Sequence, residues 1–246
     1  MLNLCTIADN SFLIKFLAFR RSVKKYKKNY RIELLCMDQK IYDNLNNKYN
    51  DVRCHLLQDL LHKDKLLEKA KNNDPSYEAL NVSAGNIEEA KRMQFIWALA
   101  SYFSWYCLTQ LELEDIIYAD ADLYFFNSLE VLENLKDYGS IGLIENRVPY
   151  NSTNGKYNVG LVYFKNDKSG YECLEFWKNC LLDENNKYAK EYGTCGDQKY
   201  LELFSSLFDR VFRLDNLIGH LAPWSAMHHT YLPGGNRSFM VTWAFM

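Results

Sequence analysis

The feature that most constrains the fold is the alternation of strand-like and helix-like segments in the first fifty residues. Strands are predicted over Leu2–Ile7 and Ile32–Met37, and helices are predicted over Ser11–Tyr26 and Lys40–Tyr49. Parallel strands need a long crossover connection, which an intervening helix supplies. The sequence therefore predicts an α/β fold with a single, mixed, mainly parallel Rossmann-like sheet flanked by helices.

The rest of the chain continues this pattern. Ile87–Leu108 is predicted as a long helix belonging to the core, because Ile96, Leu99, Phe103 and Tyr106 recur at helical spacing. Further elements are predicted at Ile116–Ala119, Ser140–Ile144 and Tyr157–Lys165 (strands), and near Leu129–Leu135, around Trp177 and over Gly196–Phe208 (helices). We interpret 1–246 as one domain, and the polar segment at about 58–86 as a mobile insertion.

Composition and charge exclude several classes of protein. The formal net charge is −2, and the Lys-rich stretch Lys24–Lys28 is interpreted as a solvated helix face, so no nucleic-acid partner is expected. Seven cysteines without a Cys-x-x-Cys pair predict buried, reduced thiols in a cytoplasmic protein. We expect neither a secretory signal nor a transmembrane segment, because the longest apolar run, Phe95–Leu108, is too short to span a bilayer.

The strongest chemical signal is Asp120-Ala121-Asp122, which follows the apolar residues Ile116 and Ile117. Two acids at the end of a buried strand repel each other, and burying either one alone costs several kcal/mol. Mn²⁺ or Mg²⁺ would offset that cost through oxygen ligation and could also bridge to phosphates. A solvated acidic loop and a helix N-cap are the alternative interpretations. A haloacid-dehalogenase-like phosphatase is a further one, although Leu123 follows the motif and no later acidic pair is present.

Three further blocks accompany this motif in order along the chain. They are Leu4-Cys-Thr-Ile-Ala-Asp-Asn10, Gly155-Lys-Tyr-Asn-Val-Gly-Leu-Val-Tyr-Phe164 and Gly196-Asp-Gln-Lys-Tyr-Leu201. With Asp120-Ala121-Asp122, they resemble the GT-A nucleotide-sugar glycosyltransferases, and most of all the glycogenin-like branch and its bacterial surface-glycan relatives. The resemblance covers nearly the whole chain.

The resemblance implies a role for each matched residue. Asp120 and Asp122, the DxD motif, would bind manganese or magnesium, and Asp197 and Gln198 would be catalytic residues beside the transferred sugar. The donor would be bound by Thr6, Ala8, Asp9, Asn10, Asp120, Ala121, Asn158, Gly219 and Trp224. Asp9 and Asp197 also fit helix caps, and Asn158 also fits a turn or strand edge. Lys91 and Arg92 fit either phosphate neutralisation or a solvated helix face.

A fifth block, Gly219-His-Leu-Ala-Pro-Trp224, resembles a segment of the family but departs from its pattern. Asn216 replaces a metal-binding His, and Ala222 replaces a phosphate-binding Lys. The resemblance makes Asn216 the third metal ligand, with His220 as an alternative. A later His-Phe segment is absent before Met246, which leads us to expect a C-terminal truncation.

The resemblance implies a metal-dependent glycosyltransferase that moves a sugar, with retention of configuration, from a nucleotide-diphosphate sugar. The acceptor would be a glycan, a lipid-linked molecule or a surface polysaccharide, and the protein would work in the cytoplasm or at the inner face of the membrane. The departures at Asn216 and Ala222 support an alternative, a non-catalytic or truncated relative that binds nucleotide sugar without transfer. The sequence does not determine the oligomeric state.

Overall fold

The computed structural model describes residues 1–146, 155–183, 196–222 and 238–242. Its strands, numbered in chain order, are β1 (Leu2–Ala8), β2 (Tyr30–Cys36), β3 (Val52–Leu56), β4 (Asp115–Ala119), β5 (Leu123–Phe125), β6 (Ile141–Glu145), β7 (Tyr157–Lys165), β8 (Val211–Arg213), β9 (Ile218–Leu221) and β10 (Ser238–Thr242). Its helices are α1 (Leu13–Tyr26), α2 (Gln39–Leu45), α3 (Leu57–Lys63), α4 (Lys65–Ala70), α5 (Tyr77–Val82), α6 (Ile87–Thr109), α7 (Lys168–Leu182) and α8 (Leu201–Leu207).

Seven strands form the central sheet in the order β3-β2-β1-β4-β7-β6-β8. The pairs β2–β3, β1–β2, β1–β4 and β6–β8 are parallel, whereas β7 is antiparallel to both β4 and β6. A second sheet has the order β5-β10-β9. The prediction of a mixed, mainly parallel sheet flanked by helices is confirmed.

Helices cover both faces of the central sheet. The side chains of β1 alternate between two hydrophobic clusters: Cys5 and Ile7 join one that includes residues of α6 and α7, while Leu4 and Ala8 join one that includes residues of α1 and α2. All seven residues of β1 are buried, as expected for a central parallel strand covered on both sides. Such a strand holds the residues at its carboxyl end in a fixed position.

A buried charge cluster fastens β2 to β3. The Glu33 carboxylate, almost fully buried, accepts two hydrogen bonds from Arg53 at 2.8 Å each and lies 2.7 Å from His55 Nε2. Burial works to raise the pKa of Glu33, but the hydrogen bonds from His55 and Arg53 outweigh burial and hold that pKa below its usual value. The His55 ring also packs edge-on against Phe103 and Tyr106 of α6.

We predict that Glu33→Gln lowers the free energy of unfolding by about 1–3 kcal/mol, because a neutral amide replaces the buried carboxylate that accepts hydrogen bonds from Arg53 and lies against His55. Urea unfolding monitored by circular dichroism measures the change. The exposed pair of Arg92 and Glu89 provides the control, since Glu89→Gln should cost under about 1 kcal/mol. Equal losses in the two variants would contradict the structural role of the cluster.

The polar segment predicted as a mobile insertion contains α3, α4 and α5. Leu60, Leu61 and Leu67 of this segment are buried in the core, and Asn73 Nδ2 donates a hydrogen bond to Leu182 O at 3.2 Å. The segment thus contains helices whose leucines pack in the core, and the sequence did not predict them because amphipathic helical turns were hidden among many Lys, Asp and Asn residues. Mobility of the segment, and the single-domain assignment, stay predictions.

Three other expectations are corrected by the structure. The helix predicted over Lys40–Tyr49 ends at Leu45, since Asn47 adopts a left-handed φ of 58°. The helix predicted from Gly196 begins only at Leu201, because Gly196 has a φ of 56° and opens a turn. Strand β3 was missed because its polar Arg53 and His55 hide the apolar pattern. Among the described helices, none is long and apolar enough to cross a membrane.

Candidate functional site

The candidate site lies at the carboxyl ends of β1 and β4. These strands are parallel neighbours, so the residues that follow them, Asp9 and Asp120, emerge at the same edge of the sheet. A cavity of about 420 Å³ opens there. It is lined by Ile7, Ala8, Asp9, Ser11, Phe12, Met37, Arg92, Met93, Ile96, Trp97, Tyr118, Asp120, Ala121 and Asp122.

Asp120 is held by the strand from which it emerges. Its backbone N–H donates to Gly160 O at 3.0 Å, and the Tyr118 hydroxyl donates to its Oδ1 at 2.9 Å. Tyr118 precedes Asp120 by two residues, which places both side chains on the same side of an extended chain. Burial raises the pKa of the Asp120 carboxyl, although the Tyr118 hydrogen bond opposes this.

Asp122 is also largely buried, with 9% of the residue exposed. Burial and the nearby Asp120 charge raise the pKa of its carboxyl to about 7, against the opposing effect of Lys15 on α1. The acids of this motif are thus crowded and poorly hydrated. A bound cation would stabilise such a pair, because it would offset the repulsion between the two carboxylates.

Asp197 brings a third carboxyl group to the site. It follows Gly196, whose α carbon faces the Trp97 ring so closely that a Cβ atom would lie 3.0 Å from two ring carbons. The Trp177 indole N–H donates to Asp197 O at 3.1 Å, holding the turn from the side of α7. Burial and the Asp120 charge raise the pKa of Asp197 to about 8. Asp120 and Asp197, which are 77 positions apart in sequence, therefore lie close together in the folded protein.

Asn158 joins β7 to the Asp197 turn. Its Oδ1 accepts the Gly160 N–H at 2.8 Å, and its Nδ2 donates to Gln198 Oε1 at 3.3 Å and to Asn146 Oδ1 at 3.4 Å. A Cβ atom at Gly160 would lie 2.6 Å from Asn158 Oδ1 and 3.2 Å from Asp120 Oδ2. The glycine therefore creates the space in which Asn158 and Asp120 approach each other.

Asp9 has two structural contacts. Its Oδ1 accepts the backbone N–H groups of Ser11 and Phe12, which makes it the N-cap of a short 3₁₀ helix. Its Oδ2 pairs with Arg92 at 2.8 Å on the rim of the cavity. The helix-cap interpretation of Asp9 is thus confirmed, and donor binding by the same residue stays a prediction. Asn10 donates its backbone N–H to Asp38 Oδ2 at 2.8 Å.

The other predicted donor residues differ in how they relate to the cavity. Ala8 and Ala121 line it, whereas Thr6 is fully buried inside β1 and is not among its lining residues. Gly219 is buried in β9, and Trp224 lies outside the described residues. Donor binding by these residues stays a prediction.

Asn216, the predicted third metal ligand, ends a short 3₁₀ helix and is exposed, while His220 is buried in β9. Among the described residues, Asn216 forms no hydrogen bond with Asp120 or Asp122. Within the described part of the chain, no group of three or more His, Cys, Asp or Glu side chains could hold a metal ion. The ligands that Asp120 and Asp122 provide are all oxygen atoms, and Mg²⁺ or Mn²⁺ often uses one or two carboxylates with substrate phosphates and water. The pair fits that kind of open site.

The sequence did not point to the apolar wall of the cavity. Met93, Ile96 and Trp97 of α6 form it with Phe12 and Met37. The helix was interpreted as core, which holds for Leu99 and Phe103, but its N-terminal half also turns Ile96 toward the cavity. Helical spacing identifies an apolar face without showing whether protein or ligand covers it.

The raised carboxyl pKa values predict how stability depends on pH. Between about pH 4 and pH 8 the folded protein binds more protons at these groups than the unfolded chain does, so their contribution to stability falls as pH rises. Asp197→Asn should therefore raise the melting temperature of the metal-free protein at pH 8.5 by at least about 2–4 °C, the shift that 1 kcal/mol produces in a protein of this size. Near pH 4.5 the change should be small. Differential scanning calorimetry of both proteins at both pH values measures the shift in melting temperature. A shift of the same size at pH 4.5 and pH 8.5 would contradict the prediction.

Two curated proteins of Bacillus subtilis (strain 168) are similar to this chain, whereas no family model matches it. YfnF is 27% identical over 240 residues, which cover 92% of this chain and 73% of YfnF. YfnD is 24% identical over 228 residues, which cover 89% of this chain and 68% of YfnD. Both are uncharacterized proteins, so they indicate relatedness without indicating an activity.

Solved structures identify the fold. Mouse xyloside xylosyltransferase 1, in its apo form, superposes with a TM-score of 0.64 at 14% identity, covering 97% of this chain and 96% of that one. Galactosyltransferase LgtC, in complex with donor and acceptor sugar analogues, gives 0.60 at 12% identity, covering 99% and 87%. GlyE of Streptococcus pneumoniae TIGR4 gives 0.54 at 14% identity, covering 87% and 45%. The protein therefore has the GT-A glycosyltransferase fold.

Proposed function

We propose that this protein is a metal-dependent glycosyltransferase that moves a sugar from a nucleotide-diphosphate sugar to a glycan, lipid-linked or surface-polysaccharide acceptor. One observation carries the proposal: the carboxyl groups of Asp120 and Asp122 line one cavity of a GT-A fold, and the Asp120 charge also acts on the Asp197 carboxyl. The two DxD carboxylates would hold Mn²⁺ or Mg²⁺. When bound, the cation would stabilise the charge of the leaving nucleoside diphosphate.

Other residues around the cation site would bind different parts of the donor. The cavity wall at Met93 and Trp97 would bury apolar parts of the donor and exclude water, which strengthens the polar contacts. Arg92 at the rim carries a charge that suits phosphate, and its partner Asp9 would contact the base or ribose. Asp197 and Gln198 would face the transferred sugar, with the Gln198 amide held in place by Asn158. Retention of configuration and work in the cytoplasm or at the inner face of the membrane are part of the proposal.

A second candidate is a relative that binds nucleotide sugar without transferring it. Ala222 supports it, since this residue is fully buried and has no charge to offer the leaving diphosphate. Both candidates would bind the donor, and only the first would transfer its sugar.

A thermal-shift screen tests donor binding for both candidates, because a ligand that binds only the folded state raises the melting temperature by mass action. We expect a rise for one nucleotide sugar that requires Mn²⁺ and disappears in Asp122→Asn. If that donor is also consumed, transfer is supported; if it binds without turnover, the second candidate is correct. No response to any nucleotide sugar would overturn both.

A further inference from the structure

The sequence between Asp9 and Glu33 contains eight basic residues and no acidic one, although the whole chain has a net charge of −2. Most of this charge is on α1, which packs against β5. Two of the eight are neutralised: Arg20 pairs with Asp51 at 2.6 Å, and Lys27 pairs with Glu133 at 2.5 Å. Four of the other six are exposed and clustered in the C-terminal half of α1 and just beyond it.

Four exposed cations in the C-terminal half of α1 and just beyond it form what we call the basic face: Arg21, Lys24, Lys25 and Lys28. None of the four forms a salt bridge with a described residue. Like charges at this spacing repel one another, so the cluster raises the local positive potential without stabilising the helix. An anionic partner would relieve that repulsion.

Apolar and aromatic side chains lie at both ends of the basic face. Ile14, which is 75% exposed, precedes Arg21 by seven residues and so lies on the same side of the helix. At the other end Phe126 is 49% exposed, and its ring centroid is 4.8 Å from that of Tyr124. Tyr124 belongs to β5, the strand against which α1 packs. Aromatic rings beside lysines are typical of surfaces that rest on a bilayer, where the rings enter the headgroup region.

We propose that the basic face, with Ile14, Tyr124 and Phe126, docks the protein on an anionic lipid membrane. The complementarity is between clustered cations and anionic lipid headgroups. The rest of the chain has an excess of acidic residues, which disfavours wrapping by a long polyanion.

The docking surface is close to the candidate site. Tyr124 and Phe126 follow Asp122 by two and four residues, which is about 7 and 13 Å of extended chain. A membrane at this surface would hold a lipid-linked substrate within reach of the cavity. The inference concerns where the protein binds, and it holds whether or not the protein transfers sugar.

Sedimentation with vesicles tests the proposal, using phosphatidylcholine alone and phosphatidylcholine with about 30% phosphatidylglycerol at low and high salt. We expect binding only to the anionic vesicles, weakening as salt rises. Because each cation near an anionic surface contributes a roughly fivefold factor, Arg21→Gln/Lys24→Gln/Lys25→Gln should weaken binding by about 100-fold.

The matched control is Lys40→Gln/Lys63→Gln/Lys65→Gln, which removes the same charge from exposed positions on other helices and should bind as the wild type does. Phe126→Ser should weaken the binding that survives at high salt. Equal binding by the two triple variants, no binding by the wild type, or tighter binding to duplex DNA than to vesicles at physiological salt would overturn the proposal. Asp122→Asn should bind vesicles normally, so failure here is distinguishable from failure of donor binding.

Discussion

Asp120→Asn is expected to abolish Mn²⁺-dependent donor binding and to reduce any transfer by at least about 100-fold, because it removes one of two carboxylates that would hold the cation. The side chain keeps its shape and can still accept the Tyr118 hydrogen bond. Loss of function should therefore come without loss of structure. Isothermal titration with Mn²⁺ and donor, and assay of released nucleoside diphosphate, measure the two effects.

The same substitution should stabilise the metal-free protein at alkaline pH, since it removes the charge that raises the pKa of both Asp122 and Asp197. A variant that is more stable and also inactive would show that the three carboxyl groups are kept together for function at a cost in stability. Asp115→Asn is the control for cation binding, because Asp115 begins β4 at the opposite end of the strand and should keep full Mn²⁺ affinity. If Asp120→Asn kept full Mn²⁺ affinity, the proposed metal site would be wrong.

Gly160→Ala is expected to have the second large effect. The added methyl group would lie 2.6 Å from Asn158 Oδ1 and 3.2 Å from Asp120 Oδ2, so both side chains must move. A displacement of about 1 Å in such a site can cost 100-fold in rate, and we expect a loss of that size in donor turnover. Overpacking should lower the free energy of unfolding by only about 1–3 kcal/mol.

Gly142→Ala is the matched control for this prediction. Its methyl group would lie 2.9 Å from the Phe212 ring and 3.1 Å from Tyr163 Cβ, a contact of similar tightness on the neighbouring strand β6 but away from the cavity. Both variants should lose comparable stability in urea unfolding. Only Gly160→Ala should lose turnover, and an equal loss in Gly142→Ala would mean that the sheet as a whole, rather than the site, is sensitive.

The sequence predicted the elements that have strong periodic patterns. Strands β1, β4 and β7 and helix α6 were placed within one or two residues, because a fully buried strand and a long apolar helix leave clear patterns. Strand β3 was missed because Arg53 and His55 are residue types usually found in solvent. Only the structure shows that both of them pair with the buried Glu33. The helices in the polar segment were missed because a few buried leucines are diluted by many charged residues.

For the candidate site, sequence motifs indicated the polar groups but not their surroundings. Asp120 and Asp122 were identified from an apolar strand that ends in two acids. The closeness of Asp197 to Asp120, and the bond between Asn158 and Gln198, depend on how β4, β7 and a distant turn pack together. The role of Gly160 was not predicted, because its importance depends on two side chains that approach it only in the folded protein.

The most direct test of the account is the release of nucleoside diphosphate from a panel of nucleotide sugars by the wild-type protein, with Mn²⁺ and with a chelator. We predict release from one or a few donors that requires the cation and falls at least about 100-fold in Asp122→Asn. Release that is unaffected by chelation, or equally rapid in Asp122→Asn, would contradict a metal-dependent reaction at the paired aspartates.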